Sequence, residues 1–408
     1  MERFECLFCG TQTPVDVFHA FCSQCHEPLV FHNPPKTRRI RPNKASAVEI
    51  FKDYLPLPAV DSKLHLGEGN TPLTRLVRIG NELDYPELFV KNECSNPTGS
   101  FKDRGTVVAV QKAVSLDIRN IGTVSTGNMA ASTAAYGARA GLKTIVLIKE
   151  DVSPEKLLST GIYSPLMIRV EGDYGELTYK SFELGRKKDI YFMNSVDPFR
   201  MEGYKLVGLE IFLRLRPHAP QYIIAPVSSG GLLIGLIRAY LQLKAEGLIS
   251  HMPVFIGVQA KACSPITQAF SKGALRVERV QSGFTIAQAI TNPNPPGGNL
   301  LLKLLRENGG LMMDVSDEEI IAAQRMLASR EGIFCLPASA TVLAGFLKLA
   351  QSDPPPKKAR IVLILTGTGL KNLKHLESMP MDLRRSTLED LEEALLESLA
   401  KLPQDSSP

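Results

Sequence analysis

Short apolar runs alternate with longer helical patterns over most of the chain, and this alternation restricts the possible folds more than any other feature. The clearest strand candidates are LFVKN (88–92), IGTVS (121–125), KTIVLIK (143–149), QYIIAPV (221–227), PVFIGVQ (253–259) and RIVLILT (360–366). Strands separated by helices pair in parallel, because each helix returns the chain to the same end of the sheet. The sequence therefore predicts an α/β protein with open, mainly parallel sheets flanked by helices.

Charge and hydropathy argue against several classes of protein. The net charge of the 408 residues is only +5, and part of it lies in KTRRIRPNK (36–44), so we expect no nucleic-acid partner. We also expect no membrane partner, because no apolar stretch approaches the roughly 18 residues that a spanning helix needs. The first residues, MERFECLFCG, lack the apolar core of a signal peptide. These features predict a cytoplasmic protein.

Four of the seven cysteines lie within the first 25 residues. Cys6 and Cys9 form one C-x2-C pair, and Cys22 and Cys25 form a second pair twelve residues later. Such a set suits tetrahedral zinc better than disulfides in a reducing compartment. We therefore predict a zinc-ribbon-like knuckle over residues 1–33, with a degenerate ribbon that has lost its metal as the alternative.

Two further segments are distinguished by composition. The Pro- and Arg-rich stretch 34–44 is predicted to be a solvated basic linker, and binding of an anionic partner is the lesser alternative. The C-terminal segment 386–408 contains an amphipathic helical pattern with leucines on one face, namely Leu388, Leu391, Leu395, Leu399 and Leu402. This face should pack against the parent domain or, alternatively, contact a second subunit, which makes a homodimer possible.

The segment NPTGSFKDRG (96–105) contains a lysine in an unusual place. Ser100 and Asp103 have the spacing of a capping box, which predicts that a helix begins here. Lys102 would then face the positive end of the helix dipole, which disfavours its ammonium form and lowers its pKa. A neutral amine is suited to attack on a carbonyl, whereas the alternative is a surface lysine in a capped helix.

Three more turns between strands and helices carry small and hydroxyl residues. Ser125, Thr126 and Asn128 follow one strand and either bind a carboxylate or only cap the next helix. The glycine loop at 228–231 brings backbone amides close enough to hold a phosphate. Thr366 follows the last strand, at the carboxyl edge where open α/β sheets bind ligands. An amine, two anion sites and a polar strand end at one edge fit pyridoxal phosphate.

The chain from about residue 65 to 372 resembles the fold type II pyridoxal-phosphate enzymes, whose fold is like that of the tryptophan synthase β subunit. Within them it resembles the threonine synthases, some of which carry an N-terminal zinc-ribbon-like segment. The resemblance rests on GNTPL (69–73), NPTGSFKDRG, STGNMAAS, NSVDPFRMEGYK (194–205), SSGGL and TGTGLK. It implies a large cofactor-binding domain (45–100 and 196–385) and a small mobile domain (101–195).

The resemblance also implies a role for each matching residue in the conversion of O-phosphohomoserine and water to threonine and phosphate. Lys102 would hold the cofactor as a Schiff base and move protons, and Asn128 would bond the ring 3′-oxygen. Thr366 would face the pyridine nitrogen. The cofactor phosphate would bind Ser228, Ser229, Gly230, Gly231 and Leu232, the substrate carboxylate would bind Ser125 and Thr126, and the substrate phosphate would bind Ser195 and Arg200.

The chain departs from the usual pattern of this family at four places on the substrate side. Thr368 replaces a histidine, Met129 stands where threonine is common, and Ser229 stands where asparagine is frequent. The segment 285–305 is unusually rich in proline and glycine. These departures leave a second chemistry open, which is β-elimination or β-replacement on serine- or phosphoserine-type substrates, as in dehydratases or cysteate synthase. A non-catalytic sensor is a third alternative, and the intact SFKDRG argues against it.

Overall fold

The computed structural model describes residues 2–32, 34, 38–150, 152, 154–373, 376, 383 and 385–401. It forms two compact units, Met1–Lys371 and Asn372–Pro408. The strands, in chain order, are β1 (Arg3–Glu5), β2 (Gln12–Pro14), β3 (Val30–Phe31), β4 (Leu73–Arg75), β5 (Leu88–Asn92), β6 (Asn120–Val124), β7 (Lys143–Lys149), β8 (Leu166–Val170), β9 (Ile190–Phe192), β10 (Tyr222–Pro226), β11 (Val254–Ala260), β12 (Leu311–Val315) and β13 (Ile361–Leu365).

Helices connect most of these strands. In chain order they are α1 (Ala47–Ile50), α2 (Val77–Glu82), α3 (Lys102–Ser115), α4 (Asn128–Ala140), α5 (Pro154–Gly161), α6 (Tyr174–Lys188), α7 (Pro198–Leu215), α8 (Gly231–Ala245), α9 (Pro265–Ser271), α10 (Gly298–Glu307), α11 (Asp317–Glu331), α12 (Pro337–Ser352) and α13 (Leu391–Lys401). Short 3₁₀ segments occur at Lys52–Tyr54, Ser62–Leu64, Glu93–Ser95, Gln288–Ile290 and Gly369–Lys371.

The first unit contains two open sheets of the predicted kind. The larger has the strand order β12-β11-β10-β13-β5-β4, in which only the edge pair β4–β5 is antiparallel. The smaller has the order β8-β7-β6-β9 and is parallel throughout. The six strands expected from the sequence are β5, β6, β7, β10, β11 and β13, so the predicted α/β architecture is confirmed.

Both faces of the larger sheet are covered, which explains its continuous apolar strands. Along β13, Val362 and Ile364 pack into one core, whereas Leu363 and Leu365 pack into another. The first core includes apolar residues of α3, α7 and α8, and the second includes those of α2, α11 and α12. The helices thus occupy the faces, and the loops after the carboxyl ends of the strands remain to form a site.

The N-terminal knuckle forms a small antiparallel sheet with the order β2-β1-β3. Its aromatic side chains pack against the beginning of α7. Phe4 and Phe31 lie with ring centroids 5.7 and 6.2 Å from that of Phe199. Lys112 of α3 also pairs with Glu2 at 3.1 Å. The knuckle is therefore joined to the helices that carry predicted site residues.

Helix α13 lies in the second unit and carries Leu391, Leu395 and Leu399 of the predicted leucine face, whereas Leu388 precedes the helix. Leu388, Leu391, Leu395 and Leu399 are exposed, and Leu402 lies outside the described residues. What covers this face stays a prediction, as do the domain boundaries expected from the sequence. In the described parts of the chain, no helix combines the length and the apolar character that crossing a bilayer requires.

Candidate active site

The loop before Lys102 is held by a different contact from the predicted capping box. Helix α3 begins at Lys102, and the preceding Phe101 makes no side-chain cap bond with described residues. Asp103 instead accepts hydrogen bonds from the Thr98 backbone N–H at 2.8 Å and the Thr98 hydroxyl at 2.6 Å. The predicted box is therefore wrong, because the turn at Thr98 folds back onto the carboxylate and captures it. The buried Ser100 hydroxyl has no hydrogen-bond partner among the described residues.

A tight turn at Gly99 joins this loop to the end of β13. Gly99 has a φ of +70°, and a Cβ there would approach the Thr368 methyl group to 2.8 Å. The Thr368 N–H donates to the Gly99 carbonyl at 3.0 Å, and the Phe101 N–H donates to the Thr366 carbonyl at 3.0 Å. Thr368, one of the departures from the family pattern, therefore packs directly behind the loop that carries Lys102.

The Lys102 amine lies beside two adjacent aromatic rings at the edge of the larger sheet. Its Nζ is 4.5 Å from the ring centroid of Phe101 and 5.8 Å from that of Tyr204. The side chain retains some accessible surface, but the protein around it lowers the pKa of the amine to about 7, first through desolvation and then through the charge of Arg200. The sequence argument gave the same direction from the helix dipole. A substantial neutral fraction is thus present near neutral pH.

Arg200 lies inside the protein rather than on its surface. Its side chain is fully buried, and its Nε donates to the Met193 carbonyl at 2.7 Å. Its two terminal nitrogens donate to the hydroxyls of Thr106 at 2.9 Å and Thr133 at 2.6 Å. Arg200 therefore links α7 to α3 and α4, close enough to Lys102 to lower its pKa. Its contact with a substrate phosphate stays a prediction.

The residue that begins α7 is a buried carboxylate. Asp197 accepts hydrogen bonds from the Arg200 backbone N–H at 2.9 Å and the Tyr191 hydroxyl at 2.7 Å. Burial raises the pKa of Asp197 to about 6, and these hydrogen bonds oppose the rise. This cap fixes the first turn of α7, from which Arg200 reaches inward.

Ser195, in the segment before α7, contacts both Met129 of α4 and the glycine loop. The Ser195 hydroxyl lies 3.7 Å from the Met129 sulfur. The Ser195 carbonyl approaches Gly231 so closely that a Cβ there would lie 2.7 Å from its oxygen. A second departure from the family pattern, Met129, thus contacts a residue predicted to bind the substrate phosphate.

The glycine loop is braced by the segment that looked irregular in the sequence. Gly230 has a φ of +93°, and a Cβ on it would lie 3.1 Å from the Gly297 carbonyl oxygen. The Gly297 N–H donates to the Ser229 carbonyl at 3.1 Å, and the Asn292 amide donates to the Ser229 hydroxyl at 2.9 Å. In the segment 285–305, noted above for its proline and glycine, Gly297 and Asn292 therefore have a structural role that local sequence patterns did not reveal.

Asn128 and Thr366 lie near the carboxyl end of β13. The Asn128 Nδ2 is 3.4 Å from the place where a Cβ on Gly367 would stand. The Thr366 hydroxyl lies 2.9 Å from that of Ser339. Lys371, which the sequence analysis did not single out, donates to the Asn128 Oδ1 at 2.9 Å. Residues far apart in the chain thus meet beside the Lys102 loop.

Besides α3, two helices start at this edge without a side-chain cap among the described residues. Among the described residues, Gly127 before α4 and Gly230 before α8 make no cap bond, whereas α6 and α7 start with the capping carboxylates of Asp173 and Asp197. The Ser125 hydroxyl instead accepts from the Gly127 N–H at 3.3 Å. The first amides of α4 and α8 are therefore suited to bind anions.

A buried ionic network supports the beginning of α3. Arg104 donates to Glu93 through Nε at 2.8 Å and to Glu210 through Nη2 at 2.8 Å. Lys91 donates to the same Glu210 at 2.6 Å. Two cations and two carboxylates compensate one another, and they tie α3 to β5, to the turn after it and to α7. The sequence analysis missed this network, because its members are distant in the chain.

The four cysteines of the knuckle come together as expected from their spacing. Their sulfur atoms all lie within 4.8 Å of one another. The Cys6–Cys25 and Cys9–Cys22 sulfurs are 3.3 and 3.5 Å apart. A tetrahedron of sulfurs about 2.3 Å from a zinc ion has edges of about 3.8 Å. The cluster has the size and donor type that a metal ion requires.

Comparison with known proteins identifies the family of this chain. Residues 64–367 match the model of the pyridoxal-phosphate dependent enzymes. The chain belongs to this family. It is 37% identical over 374 residues to the threonine synthase of Methanocaldococcus jannaschii, covering 90% of this chain and 92% of that protein. It is 32% identical to the threonine synthase of Methanosarcina acetivorans over 91% of this chain and 93% of that protein.

Solved structures show the same fold. The crystal structure of a threonine deaminase from T.th. superposes with a TM-score of 0.60 at 25% identity, covering 74% of this chain and 92% of that one. A fungal L-serine ammonia-lyase from Rhizomucor miehei gives a TM-score of 0.65 at 20% identity, over 77% of this chain and 99% of that one. The predicted fold type II architecture is therefore confirmed.

The residues of this enzyme fit pyridoxal phosphate. Lys102 supplies an amine with a lowered pKa for the aldehyde. The uncapped N-terminus of α8, with Gly230 in a left-handed conformation, leaves amides for a phosphate. The Ser100 hydroxyl, two residues before Lys102, has no partner within the described part of the chain and is a further polar atom that a ligand would satisfy.

Proposed function

We propose that this chain is a threonine synthase that converts O-phosphohomoserine and water to threonine and phosphate. The observation that carries the proposal is the extent of the match to relatives of that name, which covers about nine-tenths of both chains. That match is accompanied by an amine of lowered pKa at an edge where two helices offer uncapped amides. Its substrate is accordingly a small phosphorylated amino acid.

Lys102 is proposed as the residue that holds the cofactor and moves protons at the substrate carbons. When bound, the cofactor supplies an electron sink for negative charge on those carbons. Because desolvation and Arg200 keep the pKa of Lys102 near 7, its amine can accept a proton and return it at neutral pH. The rings of Phe101 and Tyr204 lie together on one side of the amine and limit the access of water from that side.

The remaining site residues are proposed to bind and orient. Asn128 and Thr366 hold the ring of the cofactor, and the amides from Ser228 to Leu232 hold its phosphate. Ser125 and Thr126 receive the substrate carboxylate, supported by the N-terminus of α4. The sheet of β6–β9 with its helices would form the mobile part, residues 101–195.

Ser195 and Arg200 are proposed to receive the substrate phosphate. Arg200 is buried and bonded to the hydroxyls of Thr106 and Thr133. Direct contact with a phosphate therefore requires its guanidinium to exchange a hydroxyl partner for a phosphate oxygen. The charge-assisted contact would favour a phosphorylated substrate over free serine or threonine.

A second candidate function is β-elimination or β-replacement on serine- or phosphoserine-type substrates, as in threonine/serine dehydratases or cysteate synthase. The observation that favours it is the contact between Met129 and Ser195, which places a thioether beside the proposed phosphate site.

A turnover assay separates the two candidates: O-phosphohomoserine, O-phosphoserine, threonine and serine are supplied separately, and amino-acid products and phosphate are quantified. Threonine and phosphate released in equal amounts from O-phosphohomoserine support the first candidate. A preference for O-phosphoserine or an unphosphorylated substrate refutes it. Lys102→Ala is the matched inactive control.

The four-cysteine cluster is proposed to bind one structural Zn²⁺ through Cys6, Cys9, Cys22 and Cys25. Thiolates at these separations suit tetrahedral zinc. Metal analysis of protein purified without chelator should give one zinc per chain, and Cys22→Ser should lower this value. Zinc-free protein with the four cysteines reduced would contradict the proposal.

A further inference from the structure

Lys371 lies beside the site, although neither its motif nor the proposed chemistry gives it a task. It ends the 3₁₀ segment Gly369–Lys371, just after the turn that follows β13. Its Nζ lies 2.9 Å from the Asn128 Oδ1. On its other side, the place where a Cβ on Gly99 would stand is 3.2 Å from the Lys371 Cε and 3.8 Å from its Nζ. The ammonium therefore lies between the start of α4 and the turn that leads to Lys102.

The surroundings of Lys371 differ from those of an ordinary surface lysine. Its side chain is exposed, but enough protein surrounds the ammonium that desolvation lowers its pKa, opposed by the charge of Asp103. Asp103 is engaged by Thr98 at 2.8 and 2.6 Å. The described hydrogen bond of Lys371 goes to a neutral amide. This cation therefore contributes positive potential beside Asn128 and the Gly99 turn.

The contact with Lys371 also decides which way the Asn128 amide points. An ammonium group has donors only, so the amide atom 2.9 Å from it must be the oxygen. This settles the usual ambiguity between the two ends of an asparagine amide. The NH₂ end then points away from Lys371, and it lies near Gly367 at the end of β13.

We propose that Lys371 is a positioning residue for the ring oxygen of the cofactor. It holds the Asn128 amide so that the NH₂ group, rather than the amide oxygen, faces the ring, and its charge favours the ionised form of the ring oxygen. Without the lysine, the amide is free to rotate and to present either end. The inference rests on the proposed function, because it takes Asn128 as the partner of that oxygen.

The test measures cofactor binding and the spectrum of the bound cofactor, both independent of turnover. Apoprotein is titrated with pyridoxal 5′-phosphate in the wild type, Lys371→Met and Lys371→Arg, with Lys272→Met, an exposed lysine at the end of α9, as the matched control. Lys371→Met should bind about three- to tenfold more weakly, which is less than the loss for a buried charge-assisted bond, because this contact is exposed. The ratio of the long- to the short-wavelength absorption band should fall, Lys371→Arg should restore part of it, and Lys272→Met should match the wild type.

A double-mutant cycle with Asn128→Ala tests whether Lys371 acts through the amide. In the Asn128→Ala background, Lys371→Met should change the affinity less than about twofold. Wild-type affinity and band ratio in Lys371→Met would overturn the inference while leaving the proposed function in place, and so would effects that multiply fully in the double mutant. Failure of the wild type to bind pyridoxal phosphate would instead overturn the proposed function, and the inference with it.

Discussion

Replacing Lys102 by methionine should make the cofactor-free protein more stable at neutral pH. Lys102 stands where burial and the charge of Arg200 oppose its ammonium form. Methionine has a similar length and no charge, so it fills the place beside the Phe101 and Tyr204 rings without this penalty. Lys102 therefore lowers the free energy of unfolding of the cofactor-free protein, and its replacement should raise that free energy.

The size of the effect follows from the pKa. Folding lowers the pKa of Lys102 from 10.5 to about 7, and at about 1.36 kcal/mol per pKa unit the upper limit is about 5 kcal/mol. Because the side chain keeps some contact with solvent, we expect about 2–4 kcal/mol. Above pH 10.5 the amine is neutral in both states and the penalty vanishes. It grows as the pH falls from 10.5 to 7, where only the unfolded state is protonated, and is constant below that.

Urea unfolding of the two apoproteins at pH 7 and pH 9 measures this dependence. The stability advantage of Lys102→Met should fall at pH 9 to roughly half of its value at pH 7. The reason is that pH 9 is closer to the unfolded-state pKa of 10.5, so only part of the penalty is present there. Lys143→Met, at the exposed start of β7, serves as the control for loss of a lysine and should show no such change. An advantage that is equal at both pH values, or a wild type that is the more stable at pH 7, would refute the reasoning.

The other predictions concern the supports of the site. Arg104→Met should lower the free energy of unfolding by about 3–5 kcal/mol, because it leaves buried carboxylates, including Glu210, without their main partner; an unchanged melting temperature would contradict this. Gly297→Ala should weaken cofactor binding at a cost of about 1–3 kcal/mol, because the new Cβ overlaps the Ser229 carbonyl; titration of the apoprotein measures it, and wild-type affinity would count against the bracing role. Arg200→Gln should lower kcat/KM for O-phosphohomoserine by a factor that corresponds to about 2–5 kcal/mol of lost transition-state stabilisation, with the cofactor still bound. Arg200→Lys should recover only part of this loss. Normal kinetics in Arg200→Gln would rule out its phosphate role.

The central part of the fold was predictable from the sequence because its strands are buried on both faces. Strands such as β10 and β13 are continuous apolar runs between turn residues, which need no knowledge of their neighbours. The missed strands lack this property. β8 is an edge strand with mostly exposed side chains, and β9 has only three residues. Their pairing is decided by adjacent strands, so their own sequences contain little evidence of it.

The site was predictable where a motif is contiguous and not where contacts cross the chain. The Lys102 loop and the glycine loop each lie within a few residues. The hydrogen bond between Lys371 and Asn128 spans 243 positions, and the burial of Arg200 depends on two other helices. Asp103 shows a failure of the opposite kind. Its spacing from Ser100 fits a capping box, but its carboxylate instead accepts hydrogen bonds from two donors of Thr98.

The charges around the site connect its stability to its ligand. Lys102, Arg200 and Lys371 place three cationic groups near one sheet edge, and the uncapped starts of α4 and α8 add positive potential. The nearby carboxylates of Asp103 and Asp197 are turned to protein donors, so they oppose this potential only in part. A dianionic phosphate and a carboxylate bound here would relieve the same repulsion that destabilises the ligand-free protein. Because Lys102→Met removes one of these charges, its apoprotein should also bind inorganic phosphate more weakly than the wild type does. Equal affinities would show that the charge of Lys102 does not contribute to anion binding and would refute this connection.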